Sequence, residues 1–185
     1  MGTWVALLRG INVGGRKRLA MRSLVDIFVA AGGTNVNTYI QSGNVVFSSD
    51  IRSAKRFGET VGKAIAASFG FCPAIHLLTA DELYRAIAGN PYRDAESDAK
   101  SLHLIFLEAA PAKAQVKKLA GLAAASESFT VAGSWLYLHA PEGVARSRLA
   151  RGIDRVLSRS ATARNWRTVT RLAAMAAAID CGAPR

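Results

Sequence analysis

Two polar stretches near the start of the chain decide the fold: LLRGINVGGRKR at residues 7–18 and TYIQSGNVVF at residues 38–47. The first begins as an apolar run and continues into a loop rich in glycine, asparagine and cations. The second places a polar corner, Gln41 to Asn44, between two short runs of β type. Polar residues of this kind between apolar elements form either turns or a binding site.

Hydrophobic spacing around these stretches predicts the order strand, helix, hairpin, helix, strand, helix in the first half. The predicted elements are a strand over 3–9, a helix from Met21 to a stop at Gly32, a hairpin around Ser42-Gly43, a helix that closes at Gly70, a strand over 73–78 and a helix opened by a Thr79/Glu82 capping box.

The second half repeats this order. Its predicted elements are a strand over 102–107, a helix with Pro111 in its first turn, a hairpin around Gly133-Ser134, a helix through Leu149 and Ile153, a strand over 161–164 and a last helix capped by Asn165. The repetition predicts an α+β fold of duplicated ferredoxin-like βαββαβ units, each with an extra helix. We expect residues 1–95 to form the first half and 100–185 the second half with the C-terminal helix, joined by a polar, linker-like segment over 91–100.

The topology of a βαββαβ unit brings the marked residues together. Its first crossover is right-handed, so strands one and two run parallel. The loop Arg9–Arg18 and the turn Gln41–Asn44 should then lie at the same edge of the sheet, where the segment Phe71–Pro73 should join them.

The sequence closely resembles the bacterial domain-of-unknown-function family 1697. The matching segments are LLRGINVGG at 7–15, Met21, TYIQSGNVVF at 38–47, LYLH at 136–139, Arg146-Ser147, Arg164-Asn165-Trp166 and Thr168-Val169. The resemblance implies an α+β fold of two related halves and a set of marked residues, but it implies no activity.

Composition narrows the class of protein. The chain has 185 residues, half of them hydrophobic, and a formal net charge of +11. No secretory signal or membrane-length apolar run is evident, so we expect a soluble cytoplasmic protein whose Cys72 and Cys181 are free thiols. The positive charge favours phosphorylated ligands, nucleic acid or anionic surfaces as partners, although codon bias toward alanine and arginine can also produce it.

The glycine-rich loop is the best candidate for a ligand site. It concentrates backbone donors and cations that suit an anion, although it matches neither the GxxxxGK[ST] nor the GxGxxG phosphate-binding pattern. The alternative is a long loop that needs glycine for positive φ and carries solvated cations, with ordinary hairpin chemistry at the turn. The predicted ligand-binding residues are Arg9, Asn12, Gly14, Gly15, Arg16, Gln41, Asn44 and, if the halves pack together, Arg164.

Other functions stay open at this point. An enzyme acting on a small anionic substrate at the same edge would need a general acid or base beside the arginines, and none is visible locally. Nucleic acid could instead meet a stripe of arginines at helical spacing, at positions 148, 151, 155 and 159. An open-sheet mode of RNA recognition is disfavoured because the central strands lack exposed aromatic residues.

The remaining alternative is an assembly or regulatory role, which predicts an exposed apolar patch and a stable oligomer. The spacing of His76, His103 and His139 indicates no metal site, and the sequence identifies no cofactor.

Overall fold

The structure is a computed structural model that describes residues 1–158 and 161–182. Its strands are β1 (Gly2–Leu8), β2 (Thr34–Tyr39), β3 (Asn44–Ser49), β4 (Ile75–Thr79), β5 (Leu102–Leu107), β6 (Ser128–Ala132), β7 (Trp135–His139) and β8 (Ala161–Asn165). Its α-helices are α1 (Met21–Ala30), α2 (Ala54–Phe69), α3 (Ala80–Ala88), α4 (Lys113–Ala120), α5 (Arg148–Leu157) and α6 (Trp166–Asp180), and a 3₁₀ helix covers Arg93–Ser97.

Two four-stranded antiparallel sheets have the orders β2-β3-β1-β4 and β6-β7-β5-β8. Both sets of strands follow the connectivity βαββαβ, and an extra helix follows the last strand of each set. The predicted fold class is therefore confirmed as α+β with two repeated units. Because β1 and β2 both pair antiparallel with β3, they run parallel to each other, as the crossover rule requires.

Local signals explain where the helices begin and end. The Ser53 hydroxyl accepts a hydrogen bond from the Arg56 N–H (3.3 Å) at the start of α2, and Gly70, at φ 74°, ends that helix. The predicted Thr79/Glu82 capping box forms, since the Thr79 N–H donates to Glu82 Oε2 (2.8 Å) and the Glu82 N–H donates to Thr79 Oγ1 (3.2 Å).

The first core lies between its sheet and the helices α1 and α2. Phe28, Phe47 and Phe57 meet at its centre, with ring centroids 5.1 to 5.7 Å apart. Side chains of β1 and β3 that alternate onto the opposite face, such as Val5 and Val46, are buried as well. The central strands are covered on both faces, so the open-sheet mode of RNA binding does not apply to this unit.

The second core repeats this arrangement. Ile105, Leu136 and Leu138 of the sheet pack with Leu149 and Ile153 of α5. The chain divides by contacts into a first unit, Met1–Arg85 with the chain from Arg171 onward, and a second unit, Ala86–Thr170. The domain limits expected from the sequence, at residues 95 and 100, stay a prediction.

Three local predictions were wrong in detail. The segment 91–100 is not a plain linker, because it contains the 3₁₀ helix and the Tyr92 hydroxyl shares a hydrogen bond with Thr130 Oγ1 (2.9 Å). Pro111 precedes α4, which begins at Lys113. The first hairpin turns at Ile40–Gly43, one residue earlier than the predicted Gln41–Asn44, whereas the second has the expected two-residue turn at Gly133-Ser134.

Candidate functional site

The loop between β1 and α1 is a small β-hairpin rather than an irregular coil. Val13 forms a β-bridge with Arg16, whose N–H donates to the Val13 carbonyl (3.1 Å), and the Asn12 N–H donates to the Lys17 carbonyl (3.1 Å). Gly14 and Gly15 form the turn at φ 58° and 73°. Positive φ at both central residues fits a type I′ turn, which glycine adopts without steric penalty. The two predicted glycines therefore give the loop a fixed shape.

Asn12 closes this hairpin and attaches it to the neighbouring turn. Its Nδ2 donates to the carbonyls of Leu19 and Gln41 (2.9 Å each), while its Oδ1 accepts from the Leu19 N–H (2.8 Å). Its backbone lies at φ 54°, which asparagine tolerates better than most residues. Because both amide hydrogens are already donated within the protein, Asn12 shapes the site and has no donor left for a ligand.

The turn at Ile40–Gly43 is held in a strained conformation. Ile40 has φ 48° and is 54% exposed, so a β-branched residue adopts left-handed backbone with little burial in return. The carbonyls on either side of it are fixed by side chains, since Asn44 Nδ2 donates to Tyr39 O (3.1 Å) and Asn12 Nδ2 donates to Gln41 O. Backbone strain of roughly 1–3 kcal/mol persists only where surrounding contacts hold the residue in that conformation. Residues strained in this way cluster at functional sites.

Asn44 has a supporting role similar to that of Asn12. It is fully buried, and its Nδ2 also donates to the Ser42 hydroxyl (2.9 Å). A buried amide whose hydrogens are both donated inside the hairpin holds the turn in shape, and direct contact of Asn44 with a ligand stays a prediction. Gln41, by contrast, is an exposed residue of the turn.

The predicted meeting of the loop at 9–18 with the turn at 41–44 at one sheet edge is confirmed. The Leu8 N–H donates to the Gly43 carbonyl (2.7 Å), and the Arg9 N–H donates to the carbonyl of Ala74 (2.9 Å), directly after the predicted 71–73 segment. The approach is close, because a Cβ at Gly43 would lie 2.7 Å from Leu8 Cβ and 3.0 Å from Ile11 Cδ1. Glycine is thus required at position 43 for packing as well as for its φ of 75°.

Beside these segments lies an open depression of about 370 Å³, near the lower end of the usual range for small-ligand sites, roughly 300–1,000 Å³. It is lined by Asn12, Gly15, Arg18, Leu19, Ala20 and Gln41. None of these residues is acidic, and the chain contains no acidic residue between position 9 and Asp26.

The cations of the loop are available to a ligand. Arg16, Lys17 and Arg18 are exposed, and within 1–158 and 161–182 none of their side chains forms an ion pair or hydrogen bond. The cation predicted for the site is Arg16, whereas the cation that lines the depression is Arg18. The GRKR run was the available signal, but only the hairpin register shows which of its cations turns toward the depression.

Seven of the predicted site residues belong to the first unit, and Arg164 belongs to the second. Arg164 lies on β8 opposite Leu104, and its Nη1 donates to the Ala163 carbonyl (2.8 Å). Burial lowers the pKa of Arg164 to about 10, so the guanidinium stays charged at neutral pH. Its participation in the loop site stays a prediction.

The second unit provides an internal comparison for this edge. There the Leu107 N–H donates to the Ser134 carbonyl (2.9 Å), as Leu8 does to Gly43 in the first unit. The residue after the strand is Glu108 instead of Arg9, and the loop to α4 covers only residues 108–112, without glycine or cations. The long cationic loop is therefore specific to the first repeat.

Groups suited to metal binding or nucleophilic catalysis are scattered in the described chain. The three histidines lie on different strands, and no group of three potential metal ligands occurs among residues 1–158 and 161–182. Cys72 and Cys181 are exposed free thiols, as expected from their spacing. No helix in the described ranges is long and apolar enough to cross a membrane.

Comparisons with known proteins agree with this fold. The family described as protein of unknown function (DUF1697) matches residues 1–137, and the chain belongs to this family. The chain is also similar to a conserved bacterial protein from Streptococcus pneumoniae, with a TM-score of 0.75 at 23% sequence identity over 95% of this chain and 98% of that chain. No curated protein matches the chain.

Proposed function

We propose that the protein binds a phosphorylated or other anionic small molecule at the edge formed by the β1–α1 loop and the β2–β3 turn. The observation that carries the proposal is the set of three exposed cations on a fixed hairpin, which form no ion pair within residues 1–158 and 161–182, next to a depression whose described lining contains no acidic group. Concentrated positive charge without neutralising carboxylates attracts anions and raises their local concentration.

Each residue of the edge has a distinct role in this proposal. Arg18, and Arg16 beside it, form charge-assisted hydrogen bonds to anion oxygens, and the planar guanidinium suits a phosphate or carboxylate. Gln41 orients the ligand through its side-chain amide. Gly14 and Gly15 permit close approach to the backbone of the turn. Asn12 and Asn44 hold the two segments in place, so the site is largely preorganised.

Binding is better supported than catalysis at this edge. General acid–base chemistry needs a titratable group within hydrogen-bond reach of the substrate. The described lining of the depression offers a guanidinium, two amides and apolar groups, but no carboxylate, imidazole or thiol. The enzyme hypothesis would regain support if a ligand-bound structure placed such a group against the ligand.

The proposal is tested by calorimetry with inorganic phosphate and with sulfate as probes. The double variant Arg16→Ala, Arg18→Ala should bind phosphate at least about tenfold more weakly, because a hydrogen bond to a charged group contributes about 1.5–3 kcal/mol. The matched control is Arg52→Ala, Arg56→Ala, which removes two exposed arginines from the same unit. Equal weakening in both variants, or no binding of either anion by the wild type, would overturn the proposal.

Arg164 is tested separately. Arg9→Ala combined with Arg164→Ala should weaken phosphate binding more than Arg9→Ala alone if Arg164 contributes to the site, as the sequence predicts. Equal affinity of the single and double variants would assign the site to the first unit alone.

A further inference from the structure

The outward faces of α4 and α5 in the second unit form a layer of exposed cations, which we call the basic layer. It consists of Lys113, Lys117 and Lys118 on α4 with Arg148, Arg151 and Arg155 on α5, all of them exposed. Arg159, the fourth arginine of the predicted stripe, lies outside the described residues. The lysines of α4 were not part of the sequence-based prediction, which considered α5 alone.

Acidic residues are nearly absent from this layer. Helix α4 contains none, and α5 contains only Asp154. The Asp154 side chain is half-buried, and its Oδ1 accepts a hydrogen bond from the Ala161 N–H (3.2 Å) at the start of β8. The one carboxylate on the two helices is therefore partly engaged with the protein backbone.

The two helices are fixed to each other, so the cations form one surface. Gln115 Nε2 on α4 donates to the carbonyls of Val156 and Leu157 on α5 (3.3 Å each). Near the other end of α4, Gly152 makes room for Leu122, because a Cβ at position 152 would overlap the Leu122 side chain. Leu119 and Leu149 are fully buried beneath the layer. The cations are therefore carried on a packed scaffold.

The first repeat shows that this charge pattern is not required by the architecture. The equivalent helices α1 and α2 carry exposed Asp26 and Glu59 among their cations Arg22, Lys55, Arg56 and Lys63. A mixed face of this type is what solvated helices usually present. The same fold thus carries a mixed face in one repeat and a basic face in the other, which argues against simple compositional bias.

We propose that the basic layer binds the phosphate backbone of double-stranded nucleic acid without sequence specificity. Arg148 and Arg155 lie seven residues apart, about 10 Å along the helix, and packed helix axes are about 8–10 Å apart. A small anion is shorter than these spacings, so it would meet only one or two cations. Duplex DNA presents about one charge per 1.7 Å of axis and can engage the whole layer at once.

Other polyanions fit the layer less well. Single strands are usually held by aromatic side chains that stack on the bases, and neither α4 nor α5 contains an aromatic residue. Anionic membranes are bound by helices that also insert large apolar side chains, whereas the exposed uncharged residues of α4 are alanines. Charge without stacking or insertion groups favours a duplex.

The test is fluorescence anisotropy with labelled duplexes of unrelated sequence, about 24 base pairs long, measured from about 50 to 200 mM salt. If the six cations displace about three to five counterions, log K should fall with log salt at a slope of about −3 to −5. The triple variant Lys117→Gln, Arg151→Gln, Arg155→Gln should weaken binding to every duplex and reduce the slope by about one per removed phosphate contact.

The matched control is Lys55→Gln, Lys63→Gln, Arg56→Gln, which removes the same charge from the first repeat and should leave duplex binding nearly unchanged. Circular dichroism establishes that each variant is folded. The inference is overturned if the wild type does not bind, if the control loses as much affinity as the basic-layer variant, or if single strands or phosphatidylserine vesicles bind more tightly than duplexes. The double variant Arg16→Ala, Arg18→Ala should leave duplex binding intact. A failure of the duplex-binding proposal is therefore distinguishable from a failure of the proposed anion binding at the β1–α1 loop.

Discussion

Replacing Asn12 is the most direct test of how the candidate site is built. Asn12→Ala removes three hydrogen bonds, two from Nδ2 and one to Oδ1. At about 0.5–1.5 kcal/mol each, and partly exposed, they contribute roughly 2 kcal/mol. Alanine at φ 54° adds roughly 1 kcal/mol of backbone strain. We therefore expect the free energy of unfolding to fall by about 3 kcal/mol.

Two further variants separate these contributions. Asn12→Gly loses the same hydrogen bonds but tolerates the positive φ, so it should be about 0.5–1 kcal/mol more stable than Asn12→Ala. Asn12→Asp keeps an acceptor for the Leu19 N–H but places carboxylate oxygen against the carbonyls of Leu19 and Gln41. It should be at least as destabilised as Asn12→Ala, since it replaces two donors with repulsive contacts.

The assay is thermal and urea unfolding followed by circular dichroism. For a protein of this size, 3 kcal/mol corresponds to a fall in Tm of about 6–12 °C. If the Tm of Asn12→Ala lies within about 1 °C of the wild type, Asn12 does not hold the loop hairpin and the neighbouring turn together as inferred. Undiminished phosphate binding by the folded Asn12→Ala protein would show that the anion site does not depend on this preorganisation.

Three other predictions follow from single residues. Gly43→Ala should lower the urea midpoint far more than Gly14→Ala, because both have positive φ but only position 43 is enclosed by side chains. Burial lowers the pKa of His103 below its ordinary 6.5, so the stability that His103 contributes is present above pH 6.5 and is lost as the pH falls. In urea unfolding at several pH values, His103→Phe should therefore show a smaller loss of stability toward low pH than the wild type. Burial and then a neighbouring carboxylate raise the pKa of Tyr84 to about 12, so its stabilising effect should persist below pH 10 and be lost through pH 12. Tyr84→Phe should remove this late transition from an absorbance titration at alkaline pH.

Periodicity and topology were enough to predict the α+β class and the repeated order of elements. Apolar residues at helical spacing indicate the buried face of a helix, and alternating apolar residues indicate the buried face of a strand. These buried faces largely determine the sheet and helix layers. The meeting of residues 9–18 with 41–44 followed from the handedness of the crossover alone. These features depend on many residues at once, so single exceptions do not obscure them.

The geometry inside the site depends on a few specific contacts, and there prediction failed. Positive φ at Ile40 runs against the preference of a β-branched residue, so the sequence placed Ile40 in the strand and the turn at Gln41–Asn44, one residue later than observed. The actual turn exists because Asn12 and Asn44 fix the carbonyls that flank Ile40. Asn12 lies 29 positions from Gln41 in the sequence, so the hydrogen bond between them cannot be predicted from local residue preferences.

The comparison of the two repeats suggests how a duplicated fold acquires two different surfaces. Both repeats keep the buried strands and the hydrogen bond from the end of the first strand to the hairpin turn, because these hold the sheet together. Residues that lie outside those contacts are free to diverge. In the first repeat the β1–α1 loop is a long cationic hairpin, and in the second the corresponding loop is short and the outer helix faces are basic. Since each of these features lies on exposed residues of one repeat only, the proposed anion site and the basic layer should be separable by mutation, and a variant that removes one should retain the other.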